Sequence, residues 1–358
     1  MGVHELDQVL LIGSVVLIAA VLGVRLSVTA GLPSLLAYLG LGLALGSSGL
    51  GIQFADADLA LSLGFAALVL ILAEGGLTTS WRAVRPSLAP GLALATIGSA
   101  VSVAVMALAA HYALGLSWEI AILLGAVLTP TDAAAVFSVL RTVRLKKSVT
   151  SILEIESGLN DAPIAVLVLA LSAGQVDADR WWEFGIRIVF ELSVGAAVGL
   201  AVGFAAAWVL GRMALPASGL YPVVVVTFTV LAYGAAAVVH TSGFAAVYIA
   251  ALVLGNAELP HRRATRSFVE GVAWLAQIGL FVMLGLLATP DTLKTYHVLA
   301  GILIGAILTF VARPLSVAVS AIWFGRGRRE LLFLGWAGLR GAIPIVLATI
   351  PLAADVEG

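Results

Sequence analysis

The sequence predicts an all-α polytopic membrane protein, and three observations carry that prediction. Hydrophobic residues make up 61% of the 358 and charged residues 11%, where a soluble protein averages about 25% charged. The apolar residues fall into about twelve runs, most of them near the roughly 20 residues a helix needs to cross the hydrocarbon core. Lys and Arg gather in every second loop between those runs. A net charge of -1 with no basic block gives no sign of a nucleic-acid partner, and zero cysteines exclude disulfides and thiolate metal sites.

The runs lie near 8–25, 32–47, 58–77, 88–113, 118–141, 149–173, 183–212, 219–240, 243–256, 265–288, 296–324 and 331–352. Those at 32–47 and 243–256 are short, and those at 183–212 and 296–324 are long enough to tilt. "MGVHELDQVL" has no basic n-region, so the first helix is expected to be retained. The loops after helices 1, 3, 5, 7, 9 and 11 carry Arg25; Arg82 and Arg85; Arg141, Arg144, Lys146 and Lys147; Arg212; Arg262, Arg263 and Arg266; and Arg326, Arg328 and Arg329. The even-numbered loops hold only Arg180 and Lys294, beside five aspartates. The odd loops are therefore expected in the cytoplasm and the N-terminus outside. Arg187, near a helix end, can snorkel. Arg313 and Arg340 are embedded in apolar sequence and need partners.

Charges at mid-bilayer depth are costly and mark function by default. Helix 6, near 149–173 and containing "ILEIESGLNDAPIAVLVLAL" at 152–171, places Asp161 roughly 18 Å from either end at 1.5 Å per residue. Ser157 and Glu154, four and seven residues earlier, share its face, and Glu156 with Asn160 forms the neighbouring stripe. Helix 5 contains "GAVLTPTDAAAVFSVLR". Pro130 cannot donate to the carbonyl of Ala126, so the helix is expected to break among Thr129, Thr131 and Asp132. A broken backbone at that depth must face protein or a water-filled cavity, and freed carbonyls beside carboxylates are a common cation site in secondary transporters. The alternative is a proline kink with a satisfied polar cluster that only holds helices together.

Glu156 and Arg313 are each expected to need an opposite charge, and pair with one another as a structural ion pair. Gly338, Gly341 and Pro344 make helix 12 a second candidate for interruption, with Arg340 close to its cytoplasmic end. Glu154, Glu74 and Arg340 are candidates for an access funnel or a helix end. For Glu74 snorkelling, capping and an entrance all stay open.

The stretches "TPTDAAAVF" (129–137), "ESGLNDAP" (156–163), "FVARPLSV" (310–317) and "GLRGAIPIVLA" (338–348) resemble, in order and spacing, the NhaP-type branch of the monovalent cation:proton antiporter family. The last is most similar to the potassium/proton antiporters that carry a cytoplasmic regulatory tail. The resemblance implies thirteen helices in two inverted repeats around helix 7, with helices 5 and 12 broken and crossing. Residues 1–87 (helices 1–3) and 216–290 (helices 8–10) would be scaffold and dimer helices. Residues 88–175 (helices 4–6) and 291–358 (helices 11–12) would form the core transport bundle, linked by helix 7 within 176–215. A thirteenth helix is expected beyond Gly358.

By the same resemblance Asp161 binds the cation or proton, Asn160 marks the electroneutral branch, and Thr131, Asp132 and Ser157 complete the site. The expected cargo is Na⁺ or K⁺ and H⁺, with no cofactor and no other metal. The expected setting is the inner cell membrane, as a homodimer. Competition of one proton and one cation for Asp161 gives obligatory exchange, and Asn160 adds no titrating charge, so exchange is expected to be electroneutral at one for one. A cation channel could use the same carboxylates, and measured current would separate the two. An enzyme is not expected: "GSSG" at 46–49 matches a short intramembrane-protease pattern by itself, and the five histidines show no metal-ligand spacing.

Overall fold

The computed structural model describes residues 3–30, 34–52, 54, 56–132, 145–175, 181–354 and 356. Among them every regular element is helical. We number the helices α1 (Val3–Ala30), α2 (Ser34–Leu45), α3 (Ala57–Thr78), α4 (Trp81–Leu114), α5 (Trp118–Leu128), α6 (Lys147–Ser172), α7 (Trp181–Arg212), α8 (Leu220–Val238), α9 (Gly243–Asn256), α10 (Arg262–Leu287) and α11 (Thr295–Phe324). The twelfth segment is split into α12a (Arg328–Trp336) and α12b (Ala342–Ala353). Each apolar run of the sequence thus carries a helix. Six of them, in α3, α4, α7, α8, α10 and α11, are long and apolar enough to cross a membrane. The basic loop residues Arg141 and Arg144, the acidic Asp177 and Asp179, and Arg180 lie outside the described residues.

The helix starts follow from local chemistry. Asp56 accepts from the Leu59 amide at 2.9 Å to cap α3, and Ser117 and Ser242 cap α5 and α9 in the same way. Gly115, in the left-handed conformation, ends α4. Two long helices are not uniform. α4 carries a wide turn at Leu94–Gly98, and α11 one at Leu308–Ala312. One precedes α5, which ends at Leu128, and the other precedes the split α12.

The helices pack in two sets. α1, α2, α3, α8, α9 and α10 are packed together, with α7 laid against α8 and α9. In this set Gly42 of α2 lies against the Val282 carbonyl and Gly285 of α10, so a side chain at either glycine would force the backbones apart. The second set is α4, α5, α6, α11 and α12a. α12b packs on both sets, against α3 and against α6. An apolar groove of about 910 Å³ runs between α4 and α6 on one side and α7 and α9 on the other.

Candidate functional site

Two breaks meet at the centre of the second set. α5 ends at Leu128, and the Thr129 hydroxyl takes up the freed Gly125 carbonyl at 2.7 Å. Pro130 brings no N–H of its own. α12a ends at Trp336, and Ala337–Gly341 runs without helix to α12b. The unwound strands touch through the Asp132 amide, which donates to the Leu339 carbonyl at 2.9 Å. Gly341 precedes the first residue of α12b and has no capping side chain of its own. The Asp132 carboxylate occupies the space a Cβ on Gly341 would need. A negative group therefore sits at the positive end of α12b. The continuation of helix 5 past Asp132 lies outside the described residues.

α6 runs beside the crossing and splits its polar residues between two faces. Glu154, Ser157, Gly158 and Asp161 line a cavity of about 270 Å³ together with Asp132 and Ile343. The other walls are Leu35 of α2, Ile71, Leu72, Glu74, Gly75 and Thr78 of α3 with Thr79 just beyond it, Tyr248 of α9, and Arg266, Gln277 and Phe281 of α10. Asp161 is 3% exposed, and its Oδ1 meets no hydrogen-bond partner among the described residues. Beyond Asp161, Ala162, Ala165 and Val168 are packed with Leu68, Leu72, Phe244 and Leu347 in a buried apolar cluster. The cavity leads toward the bundle end that carries Arg262 and Arg266. On its side wall the Tyr248 ring lies directly on Gly158, where a Cβ would collide with it. The same two residues face the apolar groove, so this contact separates the polar cavity from the groove.

The second face of α6 is turned to its neighbouring helices. Asn160 donates through Nδ2 to the Thr131 hydroxyl at 2.9 Å, tying α6 to the break in α5. Neither residue lines the cavity. Glu156 and Arg313 form a two-pronged ion pair, with Nη2 to Oε2 at 2.9 Å and Nη1 to Oε1. Both are almost fully buried. Arg313 Nε also donates to the Leu334 carbonyl in the last turns of α12a at 3.0 Å. Its stem lies on Gly338, so the pair holds α6, α11 and the break of α12 together.

The sequence-based candidates divide accordingly. Asp161, Asp132, Ser157, Glu154 and Glu74 share the cavity. Arg340 does not: it sits inside the break rather than at a helix end, and its Nε and Nη1 are enclosed without partners among the described residues. The sequence reading missed the far wall, namely Tyr248, Gln277 and above all Arg266. Arg266 had the appearance of one more loop cation.

Residues 15–357 match the family model described as sodium/hydrogen exchanger, transmembrane. The sequence is 40% identical to a K(+)/H(+) antiporter NhaP of Alkalimonas amylolytica, over 99% of this chain and 62% of that protein. It is 34% identical to a K(+)/H(+) antiporter NhaP2 of Shewanella baltica, over all of this chain and 63% of that protein. The fold superposes on the sodium proton antiporter MjNhaP1 from Methanocaldococcus jannaschii with a TM-score of 0.82 at 23% identity, covering 96% of this chain and 86% of the other. The chain spans just under two thirds of the length of the first two relatives, 62% and 63%.

Proposed function

This chain belongs to the sodium/hydrogen exchanger family, a family of multi-pass membrane transporters, and from that premise we propose that it exchanges a monovalent cation for a proton. Sodium and potassium are the candidate cargo, and potassium is the ion named for the relative at 40% identity. The observation that carries the reading is Asp161: a buried carboxylate at the inner end of a polar cavity, beside the unwound backbone that follows α5 and the break between α12a and α12b. A charged carboxylate in such a place has to be neutralised. A proton or a cation can do so, and the two exclude one another.

Asp161 is the carrier in this proposal. Asp132 and Ser157 complete the polar wall, and Asp132 stays ionised as the counter-charge of α12b. Asn160 and Thr131 hold the break in shape, and Glu156 with Arg313 fixes the core. The packed apolar cluster beyond Asp161 favours a carrier that opens to one side at a time over a channel. The set of α4–α6, α11 and α12 would move against the scaffold set, with the apolar groove as the space between them. The Arg-rich loops support an N-terminus outside, in a cell (inner) membrane. Apolar side chains exposed along α7, among them Phe190, Phe204 and Trp208, suit burial in lipid or against a second copy in a homodimer.

The test is exchange in proteoliposomes with a fluorescent pH probe. Sodium or potassium should collapse an imposed pH gradient with the wild-type chain. Asp161→Asn should abolish this while the protein still inserts and elutes as a folded species. A variant that still dissipates the gradient removes Asp161 from the role of carrier.

A further inference from the structure

We propose that Arg266 is a positioning residue that sets how tightly the cavity holds a cation, acting as a tethered competitor at the mouth; this rests on the cation-exchange reading above. Four carboxylates line the cavity: Glu74 from α3, Asp132 beyond α5, and Glu154 and Asp161 from α6. Among its described lining residues the one cationic side chain is Arg266. It comes from α10 in the scaffold set, one turn after Arg262.

Arg266 is anchored from outside the acidic cluster. Its Nη2 donates to the Thr78 carbonyl at 2.7 Å, at the negative end of α3. Its Nε lies 3.7 Å from Glu270 Oε1 one turn further along α10. The neighbouring Thr79 carbonyl is taken by Asn256 Nδ2 at 2.9 Å, and Asn256 Oδ1 accepts from the Trp81 amide at 2.8 Å. The α3 terminus is thus held by α9 and α10 together, and the guanidinium has a fixed seat at the mouth. A fixed positive charge facing four carboxylates lowers the affinity for any mobile cation that shares the cavity. Half the Arg266 side chain is exposed, so solvent and salt weaken the effect without abolishing it.

The charge and the helix cap can be separated. Arg266→Gln removes the charge, while Arg266→Lys keeps it and keeps a donor for Thr78. Cation binding is read from the thermal stabilisation of the purified chain by NaCl and by KCl, at low ionic strength. Arg266→Gln should lower the half-saturating cation concentration roughly three- to tenfold, the effect of one unit charge on the wall of the same cavity at an effective dielectric between that of a protein surface and water. Arg266→Lys should restore the wild-type value. Adding N-methylglucamine chloride to about 1 M, where the Debye length falls to about 3 Å, should erase the difference between Gln and wild type.

An unchanged half-saturation in Arg266→Gln overturns the proposal. So does an equal shift in both variants, which would mean that the cap matters and the charge does not. A wild-type chain that neither cation stabilises overturns it as well. Exchange in vesicles is scored separately: cation binding without proton exchange defeats the exchange reading and leaves the Arg266 result standing.

Discussion

Removing one member of the Glu156–Arg313 pair should cost far more than removing both. Glu156 is 2% exposed and Arg313 3%. Deleting either leaves a full charge in a dry site, at a cost of about 3–5 kcal/mol. Two independent losses of that size would sum to about 6–10 kcal/mol. The structure argues for much less in the double variant Glu156→Leu with Arg313→Met. No charge is then stranded, and apolar replacements of similar volume are often tolerated at such a pair. What remains is the Leu334 carbonyl, which loses the Arg313 Nε donor, worth about 1–3 kcal/mol. The assay is thermal melting of the purified chain in detergent, followed by the fluorescence of its eight tryptophans. At roughly 2 °C per kcal/mol, each single variant should melt about 6–10 °C lower, and the double variant only a few degrees lower. A Cβ on Gly338 would sit 2.8 Å from Arg313 Cδ and Nε, so Gly338→Ala should strain the same arrangement and lower the midpoint by an intermediate amount. A double variant that loses the full sum would refute the claim that the residues act as one unit.

Three further outcomes follow from the site. Gly341→Ala would push the Asp132 carboxylate from the start of α12b. The backbone at Gly341 has negative φ, so the effect is steric, about 1–3 kcal/mol. It should raise the half-saturating cation concentration; unchanged exchange kinetics would show that the position of Asp132 is unimportant. Asn160→Ala and Thr131→Val each remove one side of the 2.9 Å bond across the break and should each cost about 1 kcal/mol. Their combination should be less than additive, and strict additivity would show that the bond carries nothing. One proton against one cation transfers no net charge, so an imposed membrane potential should leave the exchange rate unchanged. Transport-linked currents on a solid-supported membrane, lost in Asp132→Asn, would identify a second titrating carboxylate.

How much of this was legible in the sequence depends on the range of each interaction. The helices were legible because a bilayer imposes a length of about 20 apolar residues. The cavity face of α6 was legible because Glu154, Ser157 and Asp161 repeat at helical spacing, and the structure lines the cavity with those three. Gly338, Gly341 and Pro344 signalled the break in α12. The wide turns in α4 and α11 left no signal, since an extra residue in a turn breaks no composition rule. The resemblance puts Asn160 and Thr131 in one site, but no spacing in the sequence announces the bond between them, 29 residues apart. Arg340 was placed near a helix end because sequence gives the approximate depth of a residue and not the point where a backbone unwinds.

Arg266 shows most sharply why sequence falls short. By position it is a third arginine in a basic loop, and the positive-inside pattern explains it fully. Its neighbour in space, Thr78, is 188 residues away, and neither residue carries a motif. α10 brings it to the cavity because α3 ends where Arg266 can reach its last carbonyls. The carboxylates, by contrast, sit in apolar runs of the sequence where any charge is conspicuous. Sequence therefore exposes the carboxylates at mid-membrane depth that are proposed to bind a cation. It conceals a cation at the mouth such as Arg266, since charge is unremarkable there and only the packing of the scaffold makes Arg266 face four carboxylates rather than open water.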